Sequence, residues 1–315
     1  MSRTPTRHWT ADTIPDLTGR IHVVTGATGG LGLATTRALA RRGGRVVLAV
    51  RDEEKGHRAV AGLAAEGIAP DLLTVRRIDL ADLDSVRAFA EGLRAEHPRL
   101  DVLVNNAGVM GPPRTLSAQG HELQFAANHL GHFALTGLLL DRLPDGGRVV
   151  TVSSLVHRQG ELRLDDPAAL TGERGYAPMA FYNRSKLANA VFGHELHRRL
   201  TAAGSPVRSV LAHPGYTATG LQTRDVTGLA RFFYGRIGNP LLAQRPERGA
   251  LPQLYAATAP EAAGGEFIGP DGLGELRGSP TRVKPSATAA DPETGRRLWD
   301  LSEELTGVRY GLTAS

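Results

Sequence analysis

The stretch IHVVTGATGGLG, residues 21–32, decides the fold of this chain. It opens with a β-rich run over residues 21–25, passes through a glycine turn and continues into an apolar, helically spaced segment, residues 31–40. Glycines permit a tight turn, and they let a phosphate group approach the backbone amides and the positive end of the helix dipole. The stretch therefore predicts a dinucleotide-binding βα unit, with a helix N-terminal turn that binds nothing as the alternative.

Strand and helix signals alternate along the rest of the chain. Further strands are predicted at residues 45–50, 72–78, 100–104, 148–153, 207–211 and 265–268, and further helices at residues 52–65, 83–94, 116–143 and 179–200. Successive βα units require parallel strands with right-handed crossovers. We therefore predict an α/β fold, a single-domain Rossmann-type doubly wound parallel sheet of about seven strands with helices on both faces.

Two regions stand outside this alternation. An apolar insertion at about residues 219–245 is predicted to form a small lid, and residues 270–315 form a Gly/Pro/Arg-rich C-terminal extension with a helical piece near residues 294–305. No linker or repeat interrupts the chain, so we assign residues 1–315 to one domain with its core at about residues 18–269.

Composition excludes several classes of protein. Hydrophobic residues make up 41% and charged residues 22% of 315 positions, as in ordinary globular proteins, and there is no cysteine for disulfides, thiolate metal sites or a thiol nucleophile. The net charge of +5 is dispersed, which indicates a solvated surface and no nucleic-acid partner. No signal peptide or run of about 18 apolar residues is present, so we expect a cytoplasmic protein with no membrane span. The eleven histidines show no metal-ligand spacing, and we assign no metal.

Tyr182 and Lys186 are the strongest chemical signal. Their spacing of four places a phenol and an ammonium group on one helix face, and Ser154 follows a predicted strand. With six tyrosines and three lysines in the chain, chance supplies only about 0.06 such pairs. The trio and the glycine turn together indicate transfer of a hydride at a nicotinamide and of a proton through tyrosine.

The ends of the second to fourth predicted strands bear on cofactor choice. Arg51 stands where a guanidinium group can pair with a 2′-phosphate, while Asp52 is expected to point away or cap the next helix, so the sequence favours NADP(H) over NAD(H). Asp79 either accepts a hydrogen bond from adenine or caps a helix. Asn105 and Asn106 either border the cleft or stabilise their strand.

Five ordered motifs resemble the short-chain dehydrogenase/reductase family over about residues 18–269. These are TGxxxGxG at residues 25–32, NNAG at residues 105–108, a serine after the fifth strand, YxxxK at residues 182–186 and PGxxxT at residues 214–219. The segment NHLGHF at residues 128–133 and the pair Arg51-Asp52 are similar to the retinol-dehydrogenase-like branch. Gly29 departs from that branch, which usually has serine or threonine there.

The resemblance implies a role for each matched position. Tyr182 is the general acid or base, and Lys186 holds the nicotinamide ribose and lowers the tyrosine pKa. Ser154 orients the substrate oxygen, and Asn128 anchors a water that leads to Lys186. The positions implied to bind the cofactor are Gly26, Thr28, Gly29, Gly30, Leu31, Gly32, Arg51, Asp79, Leu80, Asn106, Ala107, Gly108, Tyr182, Lys186, Pro214, Gly215, Thr217 and Thr219.

The predicted function is NADP(H)-dependent interconversion of a carbonyl and an alcohol on a bulky hydrophobic small molecule. The apolar insertion, with Val109, Met110, Met179 and Tyr216 near the motifs, would line a hydrophobic pocket, although the same spacing is ordinary core patterning. Two alternatives stay open: a non-redox cyclase or dehydratase on the same fold, and a non-catalytic NADP-binding module. A homodimer is also left open.

Overall fold

The computed structural model describes residues 9–166, 171–173, 175–217 and 244–312. Its centre is one eight-stranded sheet in the order β3-β2-β1-β4-β5-β6-β7-β8. The strands are β1 (Ile21–Thr25), β2 (Arg45–Val50), β3 (Leu73–Arg77), β4 (Val102–Asn105), β5 (Arg148–Val152), β6 (Arg208–Ala212), β7 (Phe267–Pro270) and β8 (Pro280–Arg282). The first seven are parallel, and β8 pairs antiparallel with β7.

The longer helices follow the strands in turn. They are α1 (Gly30–Arg41), α2 (Glu53–Ala65), α3 (Leu83–Glu96), α4 (Gly131–Leu139), α5 (Pro178–Ala202), α6 (Leu251–Thr258) and α7 (Pro292–Thr306). This arrangement confirms the predicted doubly wound sheet, with one more strand than the seven expected.

Two layers of apolar side chains cover the sheet because neighbouring residues along a strand point to opposite faces. Val24 packs with α1, α2 and α6 on one face, whereas Val23 packs with α3, α4 and α5 on the other. The order of β1 and β4 at the centre creates the switch point where open α/β sheets bind ligands.

The long helix predicted at residues 116–143 is wrong in its first part. Leu116 instead forms an isolated antiparallel bridge with Glu122, around a turn in which Gly120 has a φ of +83°. A short helix at Leu123–Phe125 leads into a π-helical turn at Ala126–Leu130 and then into α4. Gly120 adopts a left-handed backbone conformation, so no helix runs through this segment. From the sequence alone, the apolar spacing of the segment had looked helical.

The C-terminal extension belongs to the packed structure. It supplies β8 as an edge strand and α7, whose Trp299 is buried against Phe133 and Phe192. The predicted lid falls almost entirely on residues outside those that the structure describes. Among the described residues, no helix is long and apolar enough to cross a membrane.

Candidate active site

The glycine turn after β1 forms the floor of a cleft. Gly26 has a φ of +69°, and a Cβ added to Gly32 would lie 2.3 Å from the Gly26 carbonyl oxygen. Side chains are therefore excluded at Gly26 and Gly32, which leaves the backbone at these two positions bare near the N-terminus of α1. This bare edge fits the pyrophosphate of a dinucleotide. Gly29 has nothing within 4 Å of an added Cβ, so the serine or threonine usual in the branch would fit there.

A cavity of about 300 Å³ opens above this turn at the carboxyl ends of β1 to β4. Twelve of the predicted cofactor positions line it: Gly26, Thr28, Gly29, Gly30, Leu31, Gly32, Arg51, Asp79, Leu80, Asn106, Ala107 and Gly108. The glycine turn and the segments after β2 and β4 therefore meet in this cavity, whereas Ser154, Tyr182 and Lys186 are not among its lining residues. A larger groove of about 810 Å³ lies at the opposite edge of the sheet, around residues 205–207, and contains none of these positions.

The segment after β2 presents two cations to this cavity. Arg51 is exposed, and Lys55 lines the same wall. Asp52 caps α2 through the backbone N–H of Lys55 at 3.0 Å and pairs with the Lys55 ammonium group at 2.9 Å. The carboxylate is therefore neutralised by its own helix, as the sequence predicted for Asp52. Lys55 was missed, and its only signal was that lysine is rare in this arginine-rich chain.

Asp79 does not cap a helix. Its carboxylate accepts a hydrogen bond from the N–H of Ala81 at 2.9 Å, whereas Asp82 is the N-cap of α3. A helix capped by Asp79 would begin at residue 80, whereas α3 begins at Leu83. Asp79 instead shapes the turn that lines the cavity.

Thr25 holds the segment after β4 in place. Its hydroxyl oxygen accepts the N–H groups of Asn106 and Ala107, each at 2.9 Å. His132 donates from Nδ1 to the main-chain carbonyl of Asn128 at 2.9 Å, so its Nε2 accepts from the Thr25 hydroxyl at 2.9 Å. Burial lowers the pKa of His132 to about 4, which keeps the ring neutral. From the sequence, this histidine had only been excluded as a metal ligand.

Tyr182, Lys186 and Ser154 lie together at the carboxyl edge. The Lys186 ammonium nitrogen lies 5.8 Å from the centre of the Tyr182 ring and donates to the Val152 carbonyl at 3.3 Å. Ser154 lies close enough to the phenol to lower its pKa. A Cβ added to Gly108, which lines the cavity, would lie 3.5 Å from the same ammonium nitrogen, so Lys186 lies directly behind the cavity wall.

The two serines after β5 point in different directions. Ser153 is buried and donates to the main-chain carbonyl of Lys186 at 2.7 Å, while Ser154 is half-buried and faces Tyr182. Ser154 is the serine to which the family resemblance gave a role, and its catalytic role stays a prediction.

The expected lowering of the tyrosine pKa by Lys186 does not appear in this structure. Burial is the larger influence and raises the pKa of Tyr182 to about 12, against a lowering by the hydrogen bond from Ser154. Burial likewise lowers the pKa of Lys186 to about 8. Removing both groups from water penalises the phenolate and the ammonium ion alike, and our expectation had considered only their attraction.

Asn128 is a structural brace. Its side-chain oxygen accepts the N–H of Val109 at 2.7 Å, and its amide nitrogen donates to the Val109 carbonyl and to Ser185, each at 2.9 Å. Both side-chain donor hydrogens are thereby used. The Ser185 hydroxyl in turn donates to the Tyr182 carbonyl at 2.8 Å, so Asn128 ties the cavity wall to α5. Its water-anchoring role stays a prediction.

The turn after β6 lies outside the cavity lining. Gly215 packs so closely that an added Cβ would lie 2.4 Å from the Leu276 carbonyl oxygen. Thr217 is buried and donates to the Pro214 carbonyl at 2.9 Å. Thr219, the last predicted cofactor contact, lies outside the described residues. Across the part of the chain that the structure describes, no group of three or more His, Asp or Glu side chains could hold a metal ion.

A phosphate-sized cradle, a Tyr-Lys pair and a serine at one edge of a Rossmann-type sheet define an NAD(P)-binding oxidoreductase. A family model described as short chain dehydrogenase matches residues 20–164. Retinol dehydrogenase 14 of Mus musculus is 39% identical, and the match covers 92% of this chain and 86% of that protein. Polyprenol dehydrogenase of Mus musculus is 41% identical, and the match covers 95% of this chain and 87% of that protein. A crystal structure of an uncharacterised protein from Mycobacterium paratuberculosis is 43% identical, has a TM-score of 0.80, and covers 96% of this chain and 99% of that one. The chain belongs to the short-chain dehydrogenase/reductase family, in its retinol-dehydrogenase-like branch, and is an alcohol/carbonyl oxidoreductase.

Proposed function

We propose that this protein uses NADP(H) to interconvert a carbonyl and an alcohol on a bulky hydrophobic small molecule, with Tyr182 as the general acid or base. The observation that carries the proposal is the grouping of Tyr182 with Ser154 and the buried Lys186 ammonium group, which lies behind Gly108 in the wall of the glycine-floored cavity.

Each member of the trio has a chemical task. Burial keeps the phenol of Tyr182 protonated near neutral pH, and the protonated form is the one that donates to a carbonyl oxygen. Ser154 offers a hydroxyl to the same oxygen and orients it toward the phenol. Lys186, with its ammonium nitrogen 5.8 Å from the centre of the Tyr182 ring, is the residue that would hold the nicotinamide ribose. The nicotinamide, when bound, supplies or accepts the hydride.

The preference for NADP(H) is supported by the charge around the far end of the cavity. Arg51 and Lys55 are both present there, and the neighbouring Asp52 carboxylate is paired within α2. A 2′-phosphate would meet the Arg51 guanidinium group, with the Asp52 carboxylate already paired to Lys55, whereas a free carboxylate would have favoured a ribose hydroxyl.

The substrate class is supported by the cavity wall and by the relatives. Val109 and Met110 line the cavity, and Met179, at the start of α5, is 44% exposed. The two relatives described above are named for retinol and polyprenol, which are apolar alcohols. A cytoplasmic location and a homodimer stay predictions, and size-exclusion chromatography with light scattering would decide the second.

The direct test follows NADPH absorbance with all-trans-retinal and a small polar ketone as probes. Wild type is expected to consume NADPH with the lipophilic probe, and Tyr182→Phe is expected to lose about 10³-fold or more in kcat because the proton donor is gone. Unchanged NADPH affinity in the variant serves as the control. Turnover of the polar ketone alone would contradict the substrate class, and no turnover of any ketone would favour a non-redox or non-catalytic role.

Coenzyme preference is tested by Arg51→Glu. We expect NADPH affinity to fall by about 10- to 100-fold, since a charge-assisted contact is replaced by repulsion, while NADH affinity changes little. Fluorescence titration of both coenzymes gives the ratio. Arg76→Glu, at an arginine that pairs with Glu96, is the matched surface control. Equal losses for NADPH and NADH would remove the basis of the preference.

A further inference from the structure

The hairpin between β7 and β8 contains a strained residue. Glu275 has a φ of +58°, and no other non-glycine residue in the described ranges has a positive φ. An L-residue in this region brings its Cβ too close to the backbone, so the conformation persists only where the surroundings compel it. Gly274, with a φ of +61°, precedes it and bears no such cost.

The Glu275 carboxylate is the centre of a three-residue cluster. It accepts hydrogen bonds from the Arg158 guanidinium group at 2.8 and 2.9 Å and from His213 Nε2 at 3.0 Å. His213 must donate here from Nε2, because its Nδ1 accepts the N–H of Gly215 at 3.2 Å. The hydrogen bond from His213 is the main reason that the pKa of Glu275 falls to about 2, and the carboxylate stays charged.

The cluster joins the two loops on either side of the catalytic trio. Arg158 lies in the 3₁₀ helix Leu155–Gln159, which starts directly after Ser154, and His213 directly precedes Pro214-Gly215. The Glu275 carboxylate is a shared hydrogen-bond partner of these two segments. Glu275 therefore fixes the spacing between the catalytic serine segment and the turn after β6.

A second set of contacts fastens the same parts. His157 donates from Nδ1 to the Ser154 carbonyl at 2.7 Å, and its Nε2 accepts the N–H of Ser286 at 3.2 Å. The carbonyl of Leu276, next to Glu275, accepts the N–H of Tyr216 at 2.8 Å. The C-terminal extension thus contacts both catalytic loops through main-chain and side-chain groups.

We propose that Glu275 is a positioning residue, held in a strained conformation so that its carboxylate aligns the Ser154 segment with the Pro214-Gly215 turn. Its catalytic meaning rests on the proposed function. The alignment itself is a property of the free protein and can be measured without coenzyme or substrate.

The test compares two variants of the full-length chain. Glu275→Gly removes the carboxylate and also the backbone strain, while Glu275→Gln keeps a hydrogen-bond acceptor without the charge. Glu66→Gln is the matched control, because Glu66 also pairs with two arginines but lies after α2, away from the trio. Hydrogen exchange is measured by mass spectrometry on peptides covering residues 154–159 and 213–217, together with the melting temperature, NADPH affinity and turnover of all-trans-retinal.

Glu275→Gly is expected to exchange faster in both peptides, to melt within about 2 °C of wild type, and to lose about tenfold in NADPH affinity or kcat through misplacement of the loops. Glu275→Gln is expected to recover most of that loss. Hydrogen exchange and NADPH affinity equal to those of wild type in Glu275→Gly would overturn the proposal. Faster exchange throughout the molecule, together with a large fall in melting temperature, would also overturn it, because that result indicates a merely structural role. Failure of the wild type to bind NADPH or NADH would contradict the proposed function alone, and the exchange data would still decide the alignment.

Discussion

Ser153 and Ser154 illustrate how neighbouring side chains of one type receive different tasks. Successive residues at a strand end point to opposite sides, so one hydroxyl meets α5 and the other meets the cleft. The buried serine satisfies a main-chain carbonyl, and the half-buried serine contacts the phenol of Tyr182. The family resemblance had assigned Ser154 to the site, and the hydrogen bond of Ser153 to the Lys186 carbonyl uses the other hydroxyl.

The two serines can be separated by substitution. Ser154→Ala is expected to lower kcat about 10²-fold at nearly unchanged stability, because it removes a donor to the reacting oxygen. Ser153→Ala is expected to cost about 1 kcal/mol of unfolding free energy through loss of a buried hydrogen bond, with a small effect on kcat. NADPH-coupled turnover and urea unfolding measure the two effects. The reverse pattern would show that Ser153 is the catalytic hydroxyl.

At the scale of elements, the parallel strands were predictable to within one or two residues. Short β-branched runs bounded by turns mark fully buried strands, and β1 and β2 match the predicted limits at both ends. β8 was missed because three residues that include Pro280 carry no periodic signal, and its pairing with β7 is a tertiary effect.

The candidate site was predictable as residue identities but not as contacts. Motif spacing located the glycine turn, Tyr182 and Lys186, since that chemistry leaves a local pattern. The hydrogen bond between Thr25 and His132, or the cluster around Glu275, joins residues more than 50 positions apart. No local pattern encodes such pairs, and the opposing effects of burial and charge on the Tyr182 pKa depend on the packed structure.

The junction of the π-helical turn with α4 gives a test at this scale. A Cβ added to Gly131 would lie 2.3 Å from the Leu80 carbonyl oxygen, in the turn that lines the cavity. Gly131→Ala is therefore expected to cost about 1 to 3 kcal/mol of unfolding free energy and to weaken NADPH binding, because the backbones must separate.

Gly92 provides the matched control for that substitution. It lies within α3 and has nothing within 4 Å of an added Cβ. Gly92→Ala is expected to stabilise the protein by about 0.5 to 1 kcal/mol through helix propensity, with NADPH affinity unchanged. Equal stabilities for the two variants in chemical denaturation would mean that the contact between Gly131 and Leu80 is not tight.

At the scale of the whole molecule, α7 closes the layer over α4 and α5. Trp299 is 2% exposed and lies edge-on to Phe133 with ring centres 5.1 Å apart, and His129 in the same cluster bonds Ser302 of α7. The C-terminal extension therefore completes the hydrophobic core in addition to contacting the loops after β5 and β6. Through the hydrogen bond between His129 and Ser302, the packing of α7 also involves a buried histidine.

Buried neutral histidines predict acid sensitivity. Burial lowers the pKa of His22 and His132 to about 4 and that of His129 to about 3, below the ordinary value of 6.5. Between the lowered pKa values and about pH 6.5, these histidines are protonated in the unfolded chain but neutral in the folded protein. The free energy of unfolding therefore has its full value above about pH 6.5 and falls as the pH drops. Each histidine removes about 2 to 3 kcal/mol by pH 4.5, and three together approach the roughly 5 to 15 kcal/mol that stabilises a typical domain.

His129→Leu tests this account. The variant keeps the apolar packing, and the Ser302 hydroxyl still donates to the Leu298 carbonyl at 2.7 Å. Its melting temperature is therefore expected to fall less steeply than that of wild type between pH 7 and pH 5, because one proton fewer is taken up on unfolding. His57→Gln, at an exposed position on α2, is the control and should follow the wild-type curve. Parallel curves for wild type and His129→Leu, measured by differential scanning calorimetry, would show that His129 does not couple folding to protonation.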